Sequence, residues 1–90
     1  MYRITIDCFD IRDEDGPEAA ADIESEFREH RTWFTDPSCL YESGKLTLSA
    51  TNDVDSDGLA LLDEFGDCLE AYLGEHGEVR VRQVEAISAH

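Results

Sequence analysis

The stretch SCLYESGKLTLSAT at residues 38–51 predicts two strands joined by the two-residue turn Ser43-Gly44. Apolar and polar residues alternate on both sides of the turn, which is typical of a β-hairpin with one buried face. A two-residue turn pairs Tyr41 with Leu46, so both side chains point to the same face of the sheet. The sequence therefore places a hairpin at the centre of the chain, with strands over Ser38–Glu42 and Lys45–Thr51.

The segments on either side of this hairpin each predict one strand and one helix. Tyr2–Ile11 alternates like a half-buried strand, and Pro17–Trp33 repeats apolar residues at helical spacing. Downstream, Gly58–Leu73 predicts a second helix, and Glu78–Ile87 predicts a last strand whose alternation slips near Gln83, as at a β-bulge. The predicted apolar stripes are Ala20, Ile23, Phe27 and Phe34 for the first helix, and Leu59, Leu62, Phe65, Leu69 and Leu73 for the second.

The order strand, helix, strand, strand, helix, strand predicts an α+β fold. A short repeat supports it, because acid-rich segments ending in glycine, Asp13–Gly16 and Asp55–Gly58, each link a strand to a helix. Two such units make a ferredoxin-like βαββαβ sandwich, a four-stranded antiparallel sheet with two helices on one face. Ninety residues suit a single α+β domain over residues 1–90.

Charge excludes several classes of partner. The chain has 22 Asp and Glu against 7 Lys and Arg, a formal net charge of −15, so its surface repels nucleic acids and anionic lipid. No long apolar run or export signal is present, and we expect a cytoplasmic protein. The three cysteines form no CxxC motif. They fit a reduced compartment, with Cys8 and Cys39 on predicted core-facing positions.

The sequence from Asp53 to Glu64 matches the calcium-loop pattern D-x-[DN]-x-[DN]-G-x5-E. Clustered oxygens suit a hard cation, and Gly58 permits the sharp turn. A strand precedes the loop, however, where an EF-hand has a helix, and Leu61 offers no side-chain oxygen at position 9 of the loop. The acids would equally suit the N-terminus of a helix. Calcium is thus the one cofactor that the sequence suggests, through Asp53, Asp55, Asp57 and Glu64.

We expect no enzyme and no direct binding of nucleic acid. His30, His76 and His90 do not combine with a serine or cysteine at a triad spacing. The carboxylates fall on predicted solvent faces, whereas acid–base chemistry needs one of them desolvated. RNA-binding sheets of this topology stack bases on aromatic residues. Here the outward residues of the third strand are Thr47, Ser49 and Thr51, and the first strand offers only Phe9.

Two acidic stripes are the most informative surface feature. Each repeats along one side of a predicted helix, and four helical residues rise about 6 Å, close to the spacing of phosphates along a nucleic-acid strand. Like charges four residues apart destabilise a helix, which favours a functional reason for the stripes. The natural partner is a basic surface that otherwise holds nucleic acid. The partner-binding residues we predict are Glu18, Asp22, Glu26, Glu29, Asp63, Asp67 and Glu70.

In size and charge layout the chain resembles the small acidic phage proteins of the anti-CRISPR class, some of which mimic nucleic acids, and bacterial immunity proteins that plug nuclease toxins. The resemblance implies a non-enzymatic inhibitor of one basic nucleic-acid-binding protein or complex. Two alternatives remain. The acidity can be an adaptation to high salt, or the chain can be a calcium-stabilised small regulatory or dimerisation domain. In either case it would be a monomer or a homodimer.

Overall fold

The computed structural model describes residues 1–87 and contains two helices and four strands. They are β1 (Tyr2–Cys8), α1 (Gly16–His30), β2 (Thr35–Glu42), β3 (Lys45–Asn52), α2 (Leu59–Tyr72) and β4 (Val79–Ala86). The strands form one antiparallel sheet in the order β2-β3-β1-β4. The α+β class and the predicted element order are confirmed, and the arrangement is compatible with a ferredoxin-like sandwich.

The central hairpin has the predicted register. Tyr41 pairs with Leu46, and Cys39 pairs with Leu48. The turn residue Gly44 has a φ of 80°, in the left-handed region that two-residue hairpin turns require. A local pattern of alternation and turn chemistry was therefore sufficient to fix this part of the sheet.

The bulge predicted near Gln83 is also present. Thr5 of β1 pairs with Gln83, but the next residue, Ile6, pairs with Val81. Arg82 is therefore the extra residue of β4, without a partner in β1. The bulge keeps the valines on both sides of it on the inner face of the sheet.

Both helices cover the same face of the sheet. Inward residues of β1 and β3, such as Ile4 and Leu48, are completely buried in one cluster with Phe27 of α1 and Phe65 of α2. Burial of apolar surface in this cluster is the main favourable term in folding. The buried set is Ile4, Ile6, Cys8, Ile11, Ala19, Ala20, Ile23, Phe27, Phe34, Cys39, Leu46, Leu48, Ala50, Leu61, Phe65, Cys68, Leu69 and Leu73.

Several element boundaries differ from the prediction. β1 ends at Cys8 instead of Ile11, because Asp10 takes a φ of 59° and turns the chain out of the strand. α1 ends at His30 instead of Trp33, and Phe34 reaches the core from the following turn. β2 starts earlier than predicted, at Thr35, and contains a proline that an edge strand tolerates.

The prediction of the buried stripe of α2 is wrong at the first turn of the helix. Leu59 is 57% exposed and Leu62 is half-buried, whereas Leu61, which was not predicted, is completely buried. Three leucines within four positions leave the phase of the helix undecided by periodicity. Hydrogen bonds at the start of α2, described below, decide it.

The start of α1 is held against the hairpin by a close packing contact. A Cβ at Gly16 would overlap the ring of Tyr41, so only glycine allows this approach. The Tyr41 hydroxyl donates a hydrogen bond to Asp13 and lies 3.3 Å from the carbonyl of Ile11. These contacts fix the position of α1 and of the carboxylates that it carries.

Within residues 1–87, no helix combines the length and the apolar character needed to cross a membrane.

Candidate functional site: the acidic face of the two helices

Six of the seven predicted partner-binding residues are exposed. They lie at positions three, four or seven apart on one side of each helix, so each helix presents a line of carboxylates to solvent. On α1 these are Glu18, Asp22 and Glu29, and on α2 they are Asp63, Asp67 and Glu70. We call these six residues the acidic helix face.

Cations do not neutralise this face. Among residues 1–87, none of its six carboxylates takes part in an ion pair. The three arginines outside the sheet pair with other acids: Arg12 with Glu14 and Asp15, Arg28 with Glu24, and Arg31 with Glu26 and Glu64. The acidic helix face is therefore the largest run of uncompensated charge on the two helices.

Glu26 was predicted to contact a partner, and the structure gives it an internal role. Its side chain is 21% exposed, and Oε2 accepts a hydrogen bond from Nε of Arg31 at 3.2 Å. Arg31 also forms an ion pair with Glu64 of α2. Arg31 therefore joins the two helices through two carboxylates, and Glu26 is not part of the acidic helix face.

Two contacts show how α1 is oriented about its axis. Glu24 points toward β2, where its Oε1 accepts a hydrogen bond from the amide of Cys39 at 2.9 Å. Glu26 points the other way, toward α2, through Arg31. Asp22, one turn before Glu26, therefore lies on the side of α1 that adjoins α2. The two lines of carboxylates consequently occupy neighbouring parts of one surface.

Sequence reasoning missed an exposed tyrosine at the end of α2, within range of the charge on Asp22 of α1. Tyr72, in the last turn of α2, is 42% exposed. Partial desolvation raises the pKa of its hydroxyl, and the nearby carboxylates of Glu26 and Asp22 raise it further. Aromatic residues with a polar end are common anchors in protein interfaces. Only the packing of α1 beside α2 reveals it, because Tyr72 lies about 50 residues from Asp22 in the sequence.

The predicted calcium residues have other partners in the structure. Both oxygens of Asp55 accept hydrogen bonds from the first turn of α2, from the amides of Ala60 and Leu61 at 3.0 Å. Asp57 accepts one from the amide of Leu59, and Glu64 is paired with Arg31. Asp55 thus accepts from the first amides of α2 and orients the first turn, whereas the N-cap residue itself is Gly58.

Within residues 1–87, no three His, Cys, Asp or Glu side chains come together as a group that could hold a metal. Asp53 is exposed, and its neighbour Asp55 is 6% exposed with its oxygens occupied by helix amides. The loop has the geometry of a helix N-terminus, which was the alternative interpretation of these acids. Calcium binding by this loop stays a prediction.

The open face of the sheet holds a buried carboxylate. Asp7 is 5% exposed, and it accepts hydrogen bonds from Nε and Nη2 of Arg82 at 2.7 and 2.6 Å and from Thr47 at 2.8 Å. The bond from Arg82 contributes most to a pKa of Asp7 below its usual value. Arg82 therefore balances the charge of Asp7, and the pair is structural.

The three thiols have no activated character. All three cysteines are buried, including Cys68, whose position was not assigned from sequence. Desolvation raises the pKa of Cys8 to about 11 and that of Cys39 to about 12, and it raises that of Cys68. A thiol in this state is a poor nucleophile at neutral pH.

The two described histidines lie apart from these thiols. His30 is exposed at the end of α1, and Nδ1 of His76 lies 2.9 Å from the carbonyl of Gly77. His90 lies outside the described residues.

Comparison with known proteins gives no family for this chain: no protein-family model and no curated protein matches it.

Proposed function

We propose that this chain is a non-enzymatic inhibitor, similar to anti-CRISPR or nuclease-immunity proteins in size and charge layout, which binds a basic nucleic-acid-binding protein in the cytoplasm. The acidic helix face would occupy the surface on which the partner holds phosphates. We infer that its fold is a ferredoxin-like sandwich, in which two neighbouring helices carry this face. Nucleic acid itself is not a ligand, because the net charge of −15 repels it.

The observation that carries the proposal is a set of six exposed carboxylates on two adjoining helices that form no ion pairs within the described residues 1–87. Arginines near the helices pair instead with Glu24, Glu26 and Glu64, at the edges of the surface or between the helices. If these acids served only for solvation, there would be no reason for the unpaired acids to lie together on the helix face while the paired acids lie elsewhere. Mutual repulsion along each helix destabilises the free protein and is relieved when a basic partner binds.

Salt adaptation is the competing explanation, and it predicts a different dependence on where the carboxylates lie. Under that explanation, acids contribute through hydration wherever they lie, so the position of a carboxylate matters little. Under the present proposal, acids on the helix face matter and equally exposed acids elsewhere do not. A comparison of matched charge reversals separates the two.

The test uses the purified protein as bait in a nuclease-treated bacterial lysate at low salt, with elution by a salt gradient and mass spectrometry. Asp22→Lys/Asp67→Lys reverses one carboxylate on each helix. Asp53→Lys/Glu75→Lys is the control, since both residues are exposed and lie outside the helices, and the charge change is the same. We expect one nucleic-acid-binding protein to be retained by the wild type and the control and lost from the helix-face variant.

A broad mixture of basic proteins that both variants retain to the same reduced extent would contradict the proposal and favour salt adaptation. Retention by the helix-face variant at wild-type strength would also contradict it. Circular dichroism melts of both variants establish that each is folded, because exposed acid-to-lysine changes here relieve repulsion and are expected to leave the melting temperature intact or raised.

A further inference from the structure

The two edges of the sheet are built differently. β2 contains Pro37, and its register shifts between Thr35 and Ser38, where Asp36 has a φ of 50°. These features interrupt the free side of β2 and block strand addition. β4 runs for eight residues, Val79–Ala86, without proline, and within residues 1–87 it pairs on one side, with β1. β4 is therefore the edge at which another strand can be added.

The inner side of β4 is incompletely covered. Val79, Val81 and Val84 pack against the core but remain partly exposed, whereas Ile4 and Ile6 on the neighbouring strand are completely buried. The three valines thus form an apolar row along an open edge. A strand paired with β4 would complete the burial of these valines if it placed apolar residues directly across from them.

The bulge gives β4 a symmetry that a regular strand lacks. Arg82 contacts Asp7, and Gln83 lines a shallow pocket with Arg3 and Thr5, so both residues at the bulge lie on the open face. Counting outward from the point between Arg82 and Gln83, the next pair, Val81 and Val84, lies on the inner face. The pair after that is Arg80 and Glu85, which lies on the open face, and these two side chains have opposite charge.

We propose that β4 pairs with β4 of a second copy of this chain, antiparallel and centred between Arg82 and Gln83, to form a homodimer with a continuous eight-stranded sheet. In this register each residue faces one that lies on the same side of the sheet, as antiparallel pairing demands. Val81 faces Val84 of the second copy, and Arg80 faces Glu85 of the second copy. In a strand without the bulge this centre would place inner residues opposite outer ones.

Charge complementarity extends beyond the two paired strands. In β1, Arg3 lies beside Glu85, and Asp7 lies beside Arg80. Across the new interface the open face therefore carries a row of four charged residues of alternating sign. The row runs from Arg3 and Glu85 of one copy to Arg80 and Asp7 of the second copy, and the two-fold axis repeats it. Opposite charges placed directly across from each other stabilise strand pairs, and like charges destabilise them.

The inner face gives two apolar rows in the same register. One row runs through Ile6 and Val81 to Val84 and Ile4 of the second copy. The other runs through Cys8 and Val79 to Ala86 and Tyr2 of the second copy. Charged residues and bulges at an edge often serve to keep strands apart. Here the charges match in a self-complementary register, which favours a second copy over an unrelated peptide as the occupant.

This inference does not depend on the proposed function. Pairing through β4 leaves the acidic helix face uncovered and places four helices on one side of the joined sheet. The net charge of −15 on each copy opposes association over long distances, so the measurements use moderate salt to screen it.

The test is sedimentation equilibrium of the full chain at about 0.3 M NaCl, where the Debye length is below about 8 Å. Arg80→Glu places two pairs of acids across the interface, and Glu85→Arg places two pairs of bases there. We expect the wild type to be a dimer and each variant to have a dissociation constant at least tenfold higher. Arg28→Glu and Glu75→Arg, with the same changes of charge away from the edge, are the controls.

The decisive arm mixes the two variants in equal amounts. A dimer of one Arg80→Glu chain and one Glu85→Arg chain restores an acid–base pair at both positions, so the mixture is expected to dimerise although neither variant does alone. A folding defect could not be rescued in this way. A monomeric wild type at millimolar concentration, variants that dimerise as tightly as the wild type, or a mixture that stays monomeric would each overturn the proposal.

Discussion

Arg31 and Glu64 form an ion pair that ties the end of α1 to the middle of α2. Arg31 directly follows α1, and its side chain also bonds Glu26, so one guanidinium holds two carboxylates from different helices. Both acids are less than one-third exposed. Arg31 is therefore a polar contact between the two helices, in addition to the apolar core that they share.

Replacing Arg31 is expected to destabilise the fold. In Arg31→Ala, Glu26 and Glu64 face each other without a cation, and the loss should be about 2 kcal/mol of unfolding free energy. Arg28→Ala is the matched control, because its exposed pair with Glu24 is worth about 0.5 kcal/mol or less. Urea denaturation of both variants measures the difference. Equal effects of the two substitutions would contradict the role given to Arg31.

The Asp55 carboxylate, in the loop before the N-cap residue Gly58, is expected to stabilise α2 by capping its first amides. Asp55→Ala leaves the amides of Ala60 and Leu61 without their acceptors, and we expect a loss of about 2 kcal/mol. Thermal melts of the variant and of Asp53→Ala, which changes an exposed acid in the same loop, test this. A loss of similar size in Asp53→Ala would contradict the capping role.

The calcium prediction is tested with the same melts. Since Asp55 and Glu64 already have internal partners, we expect calcium to shift the melting temperature of the wild type no more than magnesium does. Melts in chelator, in calcium and in magnesium make the comparison. A shift at micromolar calcium that magnesium does not reproduce would establish the loop from Asp53 to Glu64 as a calcium site.

Stability should fall at acid pH as Asp7 becomes protonated. The pKa of Asp7 lies below its usual 3.8 in the folded state, mainly because of the bond from Arg82. Its ionised form therefore stabilises the fold above pH 3.8, and this contribution is lost as the pH falls through the lower folded value.

The variant Asp7→Asn isolates this contribution. It should melt at a lower temperature than the wild type at pH 7 and should show a smaller fall below pH 3.8, because it has no carboxylate to protonate at this position. Melts from pH 2.5 to pH 7 give both curves. If the melting temperatures of the two proteins fall in parallel below pH 3.8, Asp7 is not the group responsible.

Local patterns in the sequence predicted much of the sheet and little of the helix contacts. Alternation and turn chemistry placed Tyr41 opposite Leu46 and the bulge near Gln83, because register is decided within a few residues. The phase of α2 was missed since Leu59, Leu61 and Leu62 are interchangeable by periodicity. The hydrogen bond that the Leu61 amide donates to Asp55 of the preceding loop favoured Leu61 for the core.

The candidate site was predicted in part for the same reason. Helical spacing identified its two lines of acids, and six of the seven residues are exposed. It could not show that Glu26 bonds Arg31, or that the charges of Asp22 and Glu26 raise the pKa of Tyr72, since only packing brings α1 beside α2. Long-range contacts between side chains leave no periodic signal in the sequence.

The most direct test of the central claim is a competition measurement on the captured partner. The partner, bound to a fluorescent nucleic acid, is titrated with this protein, and fluorescence anisotropy reports the nucleic acid that remains bound. We expect the wild type and Asp53→Lys/Glu75→Lys to displace the nucleic acid, more weakly as salt rises, and Asp22→Lys/Asp67→Lys to fail. A partner that holds the protein and the nucleic acid at the same time would contradict the claim that these carboxylates occupy the phosphate sites.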